Sequence, residues 1–423
     1  MKRIVAFLFV LLLVFSLAAE GARETVAEPE SLVLVIGTPD IKLAGYDRLY
    51  GDYIGPEFTR RTGIPVEVID KGSASGDTQK LDLLLASGDP VDVYADYMGR
   101  LSKYSNADYA ADLTKLLPEA YFARFHQSLL DQYRTENGAI YALPDSAWAT
   151  AMVINTTLAD QVGMSFLYDR ENRTWTMDEF TDFVRAVSEL GDEYYGTEFF
   201  AKQSTGDYRL LTFLACFGAA IFDSNGDIIA DSPEMIRGFE YILDLQRHGW
   251  IVPGGAGIDN PEYVRRWATG KIGAAVGDYT FVGMNDGSWS AAIMEPPRVT
   301  GRSASPVIMG NDGALVFKAK TGRQGAAELA AFLVSDDIQN FRCDAQYRFA
   351  SVPGVLGRDD DLYRTISGVI ERNGIVNAGL TYPYYNKVRE AWWPMVQAIL
   401  SEILTPAEAM GRFTEEARGY VSK

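Results

Sequence analysis

The chain has 423 residues, 47% hydrophobic and 23% charged, with 39 Gly and 17 Pro. This ordinary globular composition excludes disordered, collagenous and disulfide-scaffold classes, and at roughly 150 residues per domain it predicts two or three cores. Lys and Arg total 39 against 57 Asp and Glu, a net charge of −18 with no basic run. Nucleic acid needs clustered positive charge, so it is not an expected partner. His126 and His248, the two histidines, sit in no metal-ligand spacing; they read as exposed helical residues rather than members of a hydrolase triad. Cys216 and Cys343 lie far apart in apolar stretches. They read as buried thiols, with a disulfide between them left open.

Lys2 and Arg3 precede sixteen mostly apolar residues, Ile4 to Ala19. Ser16 and Ala18 fit the −3 and −1 positions of a signal-peptidase site, so residues 1–22 read as a signal peptide cleaved near Ala18 to Ala22. The apolar stretch falls short of the ~20 residues a spanning helix needs. A lipoprotein would carry Cys just after it, and Ala or Glu stands there. The expectation is a soluble, exported, periplasmic protein, with a retained signal acting as an anchor as the alternative.

Ser31–Gly37 is a short β-branched run ending in Gly, which predicts a buried strand. A helix follows over 46–61, with Leu49, Tyr53 and Phe58 inward and Thr62-Gly63 ending it. Ile64–Ile69 alternates as a second strand; Thr78–Ala86 is a helix closed by Gly88; Val91–Ala95 is a third strand. This βαβαβ order predicts α/β architecture with a parallel sheet. Ligands of such sheets bind outside the carboxyl ends of the strands, so Asp40, Asp96 and Tyr97 become candidates. Further on, Thr176–Glu179 is a helix-starting capping box, Ser232-Pro233 opens another helix, and Thr405–Glu408 opens the last one. No GxSxG, Walker A or zinc motif occurs. Among 57 acidic residues a glycosidase-like carboxylate pair carries no specific signal.

Five segments resemble, in order, the family 1 extracellular solute-binding proteins of ABC importers, the maltodextrin- and sugar-binding proteins among them. They are GPEFTRRTGIPVEVI with LASGDPVDVYADY, GAIYALPDSAWATAMVIN at 138–155, TWTMDEF at 174–180, WATGKIGAAVGDYTFVG at 267–283, and GNDGALVFKAKTGRQGAAELAAFLVSDDIQ. The resemblance implies a two-lobed periplasmic-binding-protein fold with hinge crossings and an interlobe ligand cleft. Lobe 1 would comprise 30–147 plus 297–337, and lobe 2 would comprise 148–296 plus 338–423. The crossings would lie near Asp145 to Ala149, Pro296-Pro297 and Ser335 to Asp337. It implies a monomeric binding protein, not an enzyme, with no cofactor or metal, that delivers its ligand to ABC permease membrane subunits.

A sugar offers an apolar face and a rim of hydroxyls, which aromatic rings and carboxylate or amide acceptors hold together. Positions matching the family supply that pairing. Asp96 and Tyr97 end a strand with Arg100 one turn later; Asp145 and Trp148 flank the expected hinge; Asp207 and Tyr208 follow Gly206. Asp278 and Tyr279 occupy the family's Gly-x-Trp position with Tyr in place of Trp. Asn311 and Asp312 replace a Gly-rich turn, and Trp392 and Trp393 stand where an aromatic of the last lobe reaches the cleft. A set rich in carboxylates points away from anions, towards a neutral polyol or a cation, and the aromatics point to sugar. The alternatives are a polyamine or other small solute on the same fold, and a secreted carbohydrate-active enzyme.

Overall fold

The computed structural model describes residues 31–37, 48–70, 78–105, 109–135, 137–202, 207–302, 307–318, 324–346, 348–355, 361–374, 378–382 and 384–421. The signal-peptide segment 1–22 and Asp40 lie outside the described residues. The strands are β1 (Leu32–Ile36), β2 (Val66–Asp70), β3 (Val93–Tyr97), β4 (Ala142–Ala149), β5 (Ala151–Asn155), β6 (Tyr195–Thr197), β7 (Ile272–Gly277), β8 (Ala291–Met294), β9 (Met309–Val316) and β10 (Phe349–Ala350). The helices used below are α1 (Gly55–Thr62), α2 (Gln79–Ser87), α3 (Met98–Leu101), α4 (Met177–Ser188), α5 (Asp207–Ala215), α6 (Pro233–Arg247), α7 (Asn260–Trp267), α8 (Gln324–Leu333), α9 (Asp336–Gln346), α10 (Asp361–Asn373), α11 (Tyr385–Leu400) and α12 (Pro406–Val421).

The strands form two sheets, one per lobe. The first runs β10-β4-β9-β3-β1-β2 and the second β6-β7-β5-β8. Pairing of β1 with β2 and β3 is parallel, as the βαβαβ reading requires, whereas β9 and β4 join antiparallel. β9 arrives from the second sheet and β4 leads out to it, so no crossover helix of a βαβ unit sets their direction. All five residues of β1 are buried because both faces of its sheet are covered. Gly63 and Gly88 end α1 and α2 at φ of 77° and 75°, a left-handed conformation that glycine adopts without Cβ strain. The expected helix over 46–61 begins instead as a π-helical turn, Arg48–Ile54, and Tyr53 is exposed, stacked on Phe332. Thr176 and Glu179 form the expected capping box, and Phe180, Phe183, Val184 and Val187 are buried behind it. Cys216 and Cys343 are separate buried thiols.

The chain changes sheet at places that differ from the expected lobe boundaries. Trp148 and Ala149 still pair with Gly310 and Met309 in the first sheet, and β5 begins at Ala151, so Thr150 alone joins the sheets. In the second passage the chain returns to the first sheet between Met294, which ends β8, and Met309, which opens β9, and Pro296-Pro297 fall in that interval. The third does not fall at Ser335–Asp337. α9 packs on β4 and β10, where Ser351 Oγ donates to the Pro144 carbonyl at 2.7 Å and accepts from Gln339 Nε2 at 2.9 Å. Only after β10 does the chain reach α10, which packs on β8. Among the described residues no helix is long and apolar enough to cross a membrane.

Candidate functional site

β3 runs straight into α3, which brings Arg100 back over the strand end. Asp96 Oδ1 accepts from Arg100 Nη1 and from the Tyr97 amide, both at 2.8 Å, while Oδ2 accepts from the Tyr94 hydroxyl at 2.5 Å. The ion pair is closed to solvent on both sides. Gly37 is required beside it, since a Cβ there would lie 2.2 Å from Asp96 Oδ2. Burial, reinforced by the Asp96 charge, pushes the Tyr94 phenol well above its ordinary pKa and keeps it a donor.

Asp312 on β9 stands opposite Tyr97 in the ladder. It accepts from Trp148 Nε1 at 3.3 Å, and Arg342 and Arg348 approach its second oxygen at 3.4 and 3.6 Å. Burial raises the Asp312 carboxyl above the usual range, with Arg348 opposing. Arg342 also pairs with Asp145, which sits in the bulge where β4 slips register between Pro144 and Ala147. Asn311 projects to the opposite face, as strand alternation demands. Its Nδ2 donates to Gln132 Oε1 at 3.2 Å, and its Oδ1 has no hydrogen-bond partner among the described residues.

The second lobe presents α5, the end of β7 and α11. Tyr208 on α5 meets Trp148 with ring centroids 4.7 Å apart at 47°, one ring from each lobe. Arg209 is buried, with its guanidinium 4.5 Å from the Phe281 ring centre and 3.9 Å from Asp278 Oδ2. Asp278 in turn accepts from the Thr280 amide at 2.9 Å and so starts the 3-10 turn Tyr279–Gly283. From α11, Arg389 bonds the Tyr97 hydroxyl and Asn386 Nδ2 donates to the Gly99 carbonyl at 3.0 Å. These two contacts close the lobes on one another.

Of the expected residues, Asp96, Tyr97, Asp145, Trp148, Tyr208, Asp278 and Asp312 therefore come together between the sheets. Asn311 lies behind them in the first sheet. Asp207 opens α5 and Tyr279 opens the turn after β7, but their side chains lie outside the described residues. Trp392 goes to the core instead: it is fully buried between Phe239 and Phe413. Its neighbour Trp393 is turned about 100° further round the helix. It stacks on Phe200, which meets Tyr263 beneath Arg209, so it backs the site from two rings away. His126 and His248 are both exposed, His248 stacked on Trp250. The arginines are what sequence reasoning missed. Arg100 entered only through the resemblance, and Arg209, Arg342, Arg348 and Arg389 not at all.

Chemically this is a place of paired ring faces bordered by planar polar groups, suited to holding a hydroxylated ring. Among the described residues no cluster of three or more His, Cys, Asp or Glu is placed to hold a metal ion.

The family model of the bacterial extracellular solute-binding proteins matches residues 47–340. The chain belongs to this family. A comparison with curated proteins gives no match. Solved structures share the solute-binding protein's fold over almost its whole length. Maltose-bound MalE3 of T. maritima superposes with a TM-score of 0.76 at 18% identity, covering 92% of this chain and 99% of that one. An ABC substrate-binding protein of Listeria monocytogenes in complex with cycloalternan gives 0.78 at 15% identity, with 93% and 99% coverage. A solute-binding protein of Thermotoga lettingae bound with alpha-D-tagatose gives 0.78 at 18%, with 93% and 100% coverage. At such identities the likeness establishes the two-lobed periplasmic-binding-protein fold of this solute-binding protein.

Proposed function

We propose that the protein captures a carbohydrate, a mono- or oligosaccharide, between its lobes after export to the periplasm and delivers it to the membrane subunits of an ABC importer. The observation that carries this reading is the Trp148–Tyr208 ring pair, drawn one from each lobe and bordered by carboxylate–guanidinium pairs. Rings offer the apolar face of a sugar a surface, and charged pairs grip its hydroxyls with short hydrogen bonds. The maltose, cycloalternan and tagatose found in solved structures of the same fold agree with such a ligand.

Charge balance supports a neutral ligand over a polyamine. A polyamine calls for carboxylates left over once the arginines are paired. Asp96 stands against Arg100, Asp145 against Arg342, Asp312 against Arg342 and Arg348, and Asp278 against Arg209. Neither do these arginines form a bare anion trap, because each already faces a carboxylate. The protein acts by binding, with Asp96, Tyr97, Asp145, Trp148, Tyr208, Asp278 and Asp312 as ligand-facing residues and no catalytic group.

A thermal-shift screen of the mature chain against sugars, polyamines and anions tests the reading. A ligand of the folded state at 100 times its Kd adds about 2.7 kcal/mol of stability. A clear shift with one sugar class is expected; shifts confined to polyamines or anions would overturn the carbohydrate assignment while leaving the binding role.

A further inference from the structure

The residue joining the two sheets carries more than a chain connection. Thr150 is 1% exposed, and its amide donates to the Ile308 carbonyl at 2.9 Å, so the first two interlobe passages are tied together there. Its hydroxyl lies 2.5 Å from that of Thr212 on α5. The Thr212 hydroxyl also reaches the Tyr208 carbonyl, one turn back, at 2.7 Å. The Thr150 hydroxyl likewise reaches the Ile308 carbonyl at 3.1 Å and accepts the Ile308 amide at 3.2 Å, so either threonine can supply the proton between the two hydroxyls. A hydroxyl relay thus links the Ile308 backbone through Thr150 and Thr212 to the backbone of Tyr208.

The spacing of the two elements fits this relay. Trp148 and Thr150 are two residues apart on an extended segment, roughly 6.6 Å, and share one side of it. Tyr208 and Thr212 are four residues apart on a helix, roughly 6 Å, and share one face. Helix and hinge segment therefore meet at two matched rungs, Trp148 on Tyr208 and Thr150 on Thr212. The ring rung is a tilted contact between two aromatic faces, whereas the hydroxyl rung is a short directional contact between two buried oxygens.

We propose that Thr150 and Thr212 are positioning residues whose hydroxyl pair sets the register of α5 against the hinge segment, and thereby the placement of the Tyr208 ring on Trp148. This inference rests on the carbohydrate reading only in taking that ring pair as the ligand platform. Neither threonine touches the ligand; both act through Tyr208.

Thr150→Val, Thr150→Ser and Thr212→Val are to be compared with the unaltered chain in two measurements. One is hydrogen exchange at the amides of residues 211–215 without any sugar; the other is calorimetric titration with maltose, cycloalternan and tagatose. Valine keeps the shape of threonine and deletes the relay. Thr150→Val is expected to speed exchange in α5 and to weaken binding of whichever sugar the unaltered chain takes by roughly 5- to 30-fold, the effect of losing a buried hydrogen bond. Thr150→Ser keeps the hydroxyl and should match the unaltered chain in both. Thr212→Val should reproduce Thr150→Val from the helix side, and combining the two valines should add little, since both break one link. Unchanged exchange and unchanged affinity in the valine variants, or a serine variant as impaired as valine, overturns the proposal. Should the unaltered chain bind none of the three sugars while Thr150→Val still loosens α5, the positioning role stands and the carbohydrate reading loses its support.

Discussion

Glu198 gives a prediction that can be worked through from the structure. It follows β6, is 1% exposed, and has Arg266 Nη1 at 3.5 Å as its charged neighbour. That arginine is engaged more closely by Glu262, at 2.8 Å, and Glu198 Oε2 has no hydrogen-bond partner among the described residues. Burial therefore outweighs the attraction of Arg266 and pushes the Glu198 carboxyl up from 4.5 to about 8. The unfolded chain holds this proton only below its ordinary pKa, so between about 4.5 and 8 the folded form carries more protons. Stability from this group is then fully present below pH 4.5 and is lost as pH rises towards and through 8. A rise of 8 − 4.5 = 3.5 in pKa at 1.36 kcal/mol each is worth about 5 kcal/mol. Urea denaturation of the unaltered chain and of Glu198→Gln, at pH 5, 7 and 9, reads this as a difference. The glutamine variant should lack the decline, and the two stabilities should diverge by several kcal/mol towards pH 9. Parallel profiles for the two proteins would refute the reasoning, because they would mean that the carboxylate is as well solvated folded as unfolded.

Other substitutions probe the site and its surroundings. Trp148→Ala should weaken sugar binding by about 1–3 kcal/mol, the value of a buried aromatic contact, in a calorimetric titration; unchanged affinity would remove the ring from the site. Gly310→Ala places a Cβ 2.4 Å from the Trp148 ring, so near-ultraviolet circular dichroism should register a displaced indole together with weaker binding. Asp145→Ala leaves Arg342 buried with Asp312 as its remaining carboxylate and should cost about 3–5 kcal/mol in urea denaturation, as breaking a buried ion pair does. Trp392→Ala should cost a similar 3–5 kcal/mol through the cavity it leaves, yet the folded variant should bind sugar as before, because this ring belongs to the core.

The parts of the fold that local chemistry decides were legible in the sequence. Gly63, Gly88 and the Thr176–Glu179 box each mark an element end with the residue types that ends require, and the structure places ends there. The strand-end rule led to Asp96 and Tyr97 because ligand sites follow from topology. What stayed hidden depends on contacts between distant segments. In sequence, Arg342 reads as one more surface charge; its role comes from Asp145 and Asp312, which approach it only once β4, β9 and α9 have assembled. The same holds for the third passage between lobes. Asp336 and Asp337 look like the start of a helix in a new domain, while the bonds from Ser351 to Pro144 and Gln339 hold α9 on the first sheet. Trp392 and Trp393 differ by one helical step, and no pattern in the adjoining residues tells which ring meets the core.

The passage through Thr150 has a consequence for anyone wishing to turn the molecule into a sensor. One residue between two sheets has no slack, so opening has to be absorbed by the torsions of that residue and its immediate neighbours. Lobe separation would then trace a narrow, repeatable arc, and dyes placed one on each lobe would report it as a graded distance. Between Met294, the end of β8, and Met309, the start of β9, the return to the first sheet is shared among many residues rather than one. A single residue added beside Thr150 would reverse the side on which Trp148 or Met152 presents its side chain.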